Sequence, residues 1–322
     1  MHGVYCTFEE LKEYLAGTEK ANFHPKDDPR LKRFCVEMSR KFDTEANRAF
    51  VPRLQTRYYD HPGTSATVSP YPPYSYPIAY PSSPILRPAQ RLQYADTLLL
   101  DDDLLEAVEI TTNNGDTTIS ASDYWLMTGN SYNFPPYDTV KLKPNGTTTL
   151  FGWVDTLQHA NAVEGYWGYH DEYSLAWQAV DELQVSINST VGSIEVDNVD
   201  GDDEMGLPVR FKTQQLIRLE DEFCYITGKS PEANTLDIKR AVNGTTAASH
   251  TAGTPIYVYR PMEELKHAME VLATWAYRRK DSVGAPGEDN PMATMSGVVI
   301  MPSTLPGEVK SMLAKYKREP TR

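Results

Sequence analysis

The hydrophobic pattern changes period twice along this chain, and that alternation limits the folds open to it. Near the start, Phe8, Leu11, Tyr14 and Leu15 recur at helical spacing behind Thr7 and Glu10. Thr7 and Glu10 form a capping-box pair, whose hydroxyl and carboxylate satisfy orphan backbone N–H groups; Gly17 is placed to end the helix. A second helix is expected from Asp28 as cap and Pro29 at its first turn. Its stripe is Leu31, Phe34, Cys35, Met38, Phe42, Ala46 and Ala49, and it should run until Pro52. Helical spacing returns only at the far end. Leu265, Ala268, Met269, Leu272 and Ala276 follow Pro261, and Leu305, Val309, Met312, Leu313 and Tyr316 mark a last helix. Each stripe needs a partner, so the four should bury one another as a small bundle.

Between these ends the period is two. Strand-like runs fall at 97–101, 105–111, 123–127, 138–143, 193–197, 222–227 and 234–240, separated by turns such as Asn114-Gly115, Asn145-Gly146 and Asp200-Gly201. The expected fold class is α+β: a small helical bundle from the N- and C-terminal segments with a large antiparallel β-rich insertion. The expected divisions are a helical segment over 1–60, a Pro/Tyr-rich arm over 61–94, the insertion over 95–256 (two subdomains, 95–154 and 155–256) and a closing helical segment over 257–322. The arm has eight prolines in residues 61–88, which favours extended polyproline II. Its Tyr71, Tyr74, Tyr76 and Tyr80 suit a segment lying along a neighbouring subunit.

Charge follows the same divisions. The chain carries a net −13. Residues 1–60 hold 11 basic and 10 acidic groups, residues 257–322 hold 10 and 8, and residues 61–256 hold 10 and 26. An acidic middle repels nucleic acid rather than gripping it. Three widely spaced cysteines, Cys6, Cys35 and Cys224, suggest neither a disulfide framework nor a zinc site, and a reducing compartment is expected. No signal peptide or membrane span is expected.

Candidate chemistry is sparse, and no catalytic, metal or cofactor site is expected. Ser249-His250 is an adjacent pair without a third orienting group or a nucleophile elbow. The loop around it, 242–256, reads as the exit of the insertion. Gly244 and Gly253 supply turns, Pro255 opens a return strand, and Ser249 and His250 fasten the loop by hydrogen bonds. The run 197–204 lacks the glycine and glutamate positions of a calcium loop. Asp101 to Asp103 are expected to form a polar turn between two strands. The aromatic run 165–173 suits a β core, with sugar stacking as the alternative.

The segments "YCTFEELKEYL" (5–15), "NRAFVPRLQTRYYD" (47–60), "LLLDDDLLEAVEITTNNGDTTISASDYWLM" (98–127) and "PPYDTVKL" (135–142) resemble, in this order, head–tail connector (adaptor) proteins of tailed bacteriophages. Residues 219–256 resemble a hairpin-and-loop unit of phage neck and tail proteins, and "LPGEVKSMLAKYKR" (305–318) resembles the adaptors' closing helix. The resemblance implies a structural virion protein of the neck, made in the host cytoplasm. Its partners would be the portal protein, a tail or neck protein, a dodecameric ring of its own copies, and DNA passing without sequence-specific binding; no membrane is implied. Portal-docking candidates by this resemblance are Tyr316, Lys317, Arg318 and Arg322. A stopper or tail-terminator ring is the alternative, and a carbohydrate module using Trp153, Trp167 and Tyr169 is a third.

Overall fold

The computed structural model describes residues 3–19, 25–62, 95–128, 134–202, 206, 209–279, 292–293, 299–300 and 306–318. They form an α+β fold with four helices and two antiparallel six-stranded sheets. The chain divides into two compact units. Residues 54–167 form one; residues 1–53 and 168–322 form the other.

The contiguous unit holds β1 (Arg53–Tyr59), β2 (Thr97–Thr112), β3 (Thr117–Thr118), β4 (Tyr124–Met127), β5 (Tyr137–Leu142) and β6 (Asn161–Trp167) in the order β1-β6-β2-β5-β4, with β3 beside β2. Its core is Leu98, Leu100, Leu104, Ile110, Val140, Leu142, Phe151, Val163 and Trp167. The expected break at Asp101–Asp103 is corrected: β2 runs unbroken through it. Its register against β5 shifts between Leu99 and Leu104, and it pairs with β6 beyond that irregularity. The three acids stay in a strand because Arg57 spans two of them, 3.1 Å from Asp101 and 2.6 Å from Asp102, while Tyr59 donates to Asp101 at 2.6 Å. The like charges no longer force the chain to turn outward.

The expected subdomain boundary at 154–155 falls instead at 167–168, because residues 161–167 pair with β2. Gly165 makes that pairing possible: a Cβ there would stand 2.4 Å from the Glu106 carbonyl oxygen.

The second unit contains α1 (Phe8–Glu19), α2 (Asp28–Ala46), α3 (Glu263–Arg279) and α4 (Gly307–Tyr316). It also holds β7 (Trp177–Glu182), β8 (Ser193–Glu195), β9 (Leu216–Leu219), β10 (Glu222–Ser230), β11 (Thr235–Lys239) and β12 (Pro255–Tyr259), ordered β7-β12-β9-β10-β11-β8. Residues 168–256 thus group with the helices rather than with the rest of the expected insertion. The helices pack as α1 on α2 and α3, α2 on α3 and α4, and α3 on α4. The Thr7–Glu10 capping box forms: Glu10 Oε2 accepts from Thr7 N at 2.8 Å and Glu10 N donates to Thr7 Oγ1 at 3.2 Å.

Three helix limits differ from expectation. Gly17 lies within α1 rather than after it. Asp28 is the first residue of α2, following a 3-10 turn at Pro25–Asp27, and so is not its cap. α2 ends at Ala46, where Asn47 turns left-handed at φ 50°, and not at Pro52.

The hairpin β10/β11 matches the expected one, with Ile226 opposite Ile238 and Ser230 opposite Thr235. Asn234, left-handed at φ 48°, closes it after Pro231–Ala233. The core of this sheet includes Leu183, Phe211, Ile217, Cys224, Ile226, Leu236, Ile256 and Val258. At roughly 1.5–3 kcal/mol for each fully buried large apolar side chain, this cluster is a principal source of the unit's stability.

Candidate functional site

The most concentrated polar cluster in the second unit is built on Glu222, at the start of β10. Its side chain is 1 % exposed. The tight β9–β10 connection places it opposite Leu219, with Glu220 held at φ 51°. Six groups donate to its carboxylate, the Cys224 thiol among them at 3.6 Å from Oε1. Oε1 accepts from Arg240 Nε at 2.9 Å and from Ala241 N at 3.1 Å. Oε2 accepts from Ala248 N at 3.0 Å, from His250 Nε2 at 3.0 Å and from Arg240 Nη2. Burial opposes the charge, but Arg240 and the other donors outweigh it and hold the carboxyl at about 2.

His250 is buried and lies between two carboxylates, its Nδ1 2.8 Å from Glu220. Its backbone also bridges Ile187 through a pair of 2.9 Å bonds. The loop is therefore fastened as expected by His250. Ser249 adds nothing to that fastening, because its side chain is exposed and makes no hydrogen bond among the described residues. Each acceptor of Glu222 is already occupied by a fixed donor, which suits a structural carboxylate, because a general base needs a lone pair open to substrate.

A second candidate is a cleft of about 630 Å³ in the same unit, whose walls include Glu13, Glu172, Leu175, Arg260, Glu263 and Lys266. The buried His170 lines it too, but both its nitrogens are tied to backbone. Nε2 faces the Arg260 carbonyl at 3.0 Å, and Nδ1 accepts from Glu172 N at 3.0 Å. Burial lowers its pKa, which keeps the ring neutral. At the helical side, Glu10 joins Lys266 at 2.9 Å and Lys212 at 3.4 Å. Burial opposes ionisation of Glu10, yet these two ammonium groups hold its carboxyl below the usual range.

The described part of the acidic run, residues 197–202, is organised by Asp181. That carboxylate accepts from Asp197 N, Asn198 N and, at 2.8 Å, Arg210 Nη1. No group of three potential metal ligands occurs among the described residues.

Of the docking candidates, Tyr316 is 3 % exposed. Its ring meets Phe50 and Tyr169 edge-on, at 5.9 and 5.8 Å between centroids, and its hydroxyl donates to Glu264 at 2.5 Å. The ring therefore packs inside the unit. Lys317 is exposed, and Arg318 N donates to the Ala46 carbonyl at 2.9 Å. Arg322 and the arm tyrosines Tyr71, Tyr74, Tyr76 and Tyr80 lie outside the described residues. The aromatic platform suggested for sugars is not assembled: Trp167 is buried, with Nε1 on the Gln55 carbonyl and the Arg57 guanidinium over its face.

The sequence reading missed an apolar prominence in the contiguous unit. Leu150, Trp153 and Val154 are 58, 50 and 56 % exposed. Their loop is held rigidly by Asn114, whose Oδ1 accepts from Val154 N and Asp155 N at 2.9 and 3.1 Å and whose Nδ2 donates to the Thr156 carbonyl at 3.0 Å. Buried Phe151 anchors it from within. The signal was present in the sequence, since Asp155 is the single Asp, Glu, Lys or Arg between Lys143 and Glu164. No protein-family model, curated protein or solved structure matches this chain.

Proposed function

We propose that this chain is a structural virion protein, a head–tail adaptor whose copies form a ring beneath the portal and join the DNA-filled capsid to the tail. The observation that carries this reading is the joint packing of the first and last helices. The segments resembling the adaptor scaffold, 5–15, the long helix before 47–60, and 305–318, come together through α1–α3, α2–α3, α2–α4 and α3–α4 contacts. The saturated polar clusters at Glu222 and Asp181 favour a load-bearing role. The rigid Leu150/Trp153/Val154 prominence has the chemistry of a protein contact, where a few exposed aromatic anchors carry most of the binding energy. In this reading Lys317, Arg318 and Arg322 reach the portal, and Tyr71, Tyr74, Tyr76 and Tyr80 belong to an arm that clasps the neighbouring subunit. A tail or neck protein meets the ring's other face, DNA passes through its centre without sequence-specific contacts, and the protein resides in the neck of the virion.

The test is native mass spectrometry and negative-stain imaging of the full chain, alone and mixed with the portal of the same virus. A ring seated on the portal is the expected result. Failure to bind any portal ring, with the chain folded, overturns the proposal; a ring that binds tail tubes and ignores portals points to a terminator.

A further inference from the structure

We propose that Asn145 is the chain's preferred site of spontaneous succinimide formation, and so of conversion to aspartate and isoaspartate. The reaction needs no enzyme. The main-chain nitrogen of the following residue attacks the asparagine Cγ, the side-chain nitrogen leaves as ammonia, and the five-membered imide forms. Water then opens either imide carbonyl, giving aspartate or the isomer whose backbone runs through the side-chain carbon. Glycine as the following residue favours attack because it has no Cβ to crowd the approach.

Three Asn-Gly pairs occur in this sequence, at 114–115, 145–146 and 243–244. The fold treats them differently. The Asn114 carboxamide is fixed by the three bonds that hold the Trp153 loop, and its backbone is left-handed at φ 57°. The Asn243 carboxamide donates to the Pro52 carbonyl at 3.1 Å and accepts from the Tyr225 hydroxyl at 3.2 Å, also with a left-handed backbone. Neither can swing its Cγ onto the next nitrogen without first losing those partners. Asn145 is exposed, and its side chain makes no hydrogen bond among the described residues. The nitrogen that must attack, Gly146 N, is engaged only by a 3.2 Å bond to the Lys143 carbonyl.

The fold also explains why glycine stands at 146. A Cβ there would lie 3.0 Å from both Cβ and Cγ of Asp123, and the Asp123 carboxylate accepts from Thr147 N at 2.9 Å. The close turn that favours glycine therefore creates the reactive dipeptide. Isoaspartate would insert one more backbone carbon directly before this crowded approach, so the Thr147–Asp123 bond should break as the residue ages.

The experiment incubates the full chain at mildly alkaline pH, in native buffer and in concentrated urea. Peptide mapping follows amide-to-acid conversion at each site, with fragmentation that separates the two isomers. In native buffer Asn145 should convert about tenfold faster than Asn114 or Asn243, as expected when two of the three amides are held out of the reactive geometry. In urea the three rates should draw together, and in the aged folded protein Thr147 should lose protection against hydrogen exchange. Comparable native rates at the three sites, or a spread that persists in urea, would overturn the inference.

Discussion

Arg240 grips both carboxylate oxygens of Glu222, Nε on Oε1 and Nη2 on Oε2, with side-chain exposures of 7 % and 1 %. The pair ties the end of β11 to the start of β10, and through Ala248 and His250 it holds the loop that leads back to β12. Removing one partner of a buried pair leaves the other charged and unsatisfied. Arg240→Ala should therefore lower stability by about 3–5 kcal/mol, read as a lower urea midpoint. Replacing both partners with apolar residues should cost less than the two single changes combined, which a double-mutant cycle measures.

The pH dependence has two opposed components. Glu222 titrates at about 2 in the folded chain, below the ordinary 4.5. Its contribution is present above 4.5 and lost as pH falls toward 2. Burial pushes the Asp43 carboxyl up from 3.8 to about 6, against the lowering pull of the Tyr5 hydroxyl and Arg53. Its sign is reversed: the stability it lends is full below 3.8 and lost as pH rises through 6. Asp43→Asn should flatten the melting-temperature profile between pH 4 and 6, and Glu222→Gln should flatten it below 4.5. Unchanged profiles in both variants would remove these assignments.

Tyr316 separates packing from docking. Tyr316→Phe loses the bond to Glu264 and should cost about 1 kcal/mol. Tyr316→Ala empties a buried aromatic site and should cost about 3–5 kcal/mol. If the ring served the portal directly, Tyr316→Phe would leave portal affinity intact and Tyr316→Ala would abolish it at unchanged stability. The buried position predicts instead that affinity follows folding. Lys317→Glu, at an exposed position, should weaken portal binding while leaving the melting temperature in place.

The Trp153 loop gives the converse pattern. Trp153→Ser at a half-exposed site should change stability by no more than about 0.5 kcal/mol. It should impair ring formation or neck assembly, seen as a shift to monomer in native mass spectrometry. Arg57→Ala, in contrast, releases Asp101 and Asp102 within one strand. It should raise hydrogen exchange across 97–112 before any global loss of stability.

Local signals carried the helices and the β10/β11 hairpin: the Thr7–Glu10 box, the Leu31/Cys35/Phe42 stripe and the strand-like runs 222–227 and 234–240 are each written within a few neighbouring residues. The features that escaped depend on distant partners. The triple aspartate of β2 has the composition of a turn, and what keeps it extended is Arg57, far back in the chain. β6 was hidden because Gly165 marks a close backbone approach and not a loop. The Glu222 cluster draws on residues 220, 240, 241, 248 and 250, none distinctive alone, and the pairing of β10 with β9 and β11 gathers them.

Synthesis meets the two units on different terms. The contiguous unit is complete once residue 167 has left the ribosome, and its sheet pairs only residues within 53–167. The other unit must wait: α1 and α2 are made well before their partners α3 and α4. Until then α2, with its stripe of Leu31, Cys35 and Phe42, has only α1 of its three helical partners. The window of greatest exposure to aggregation thus lies between the synthesis of α2 and that of α3, and belongs to α1 and α2.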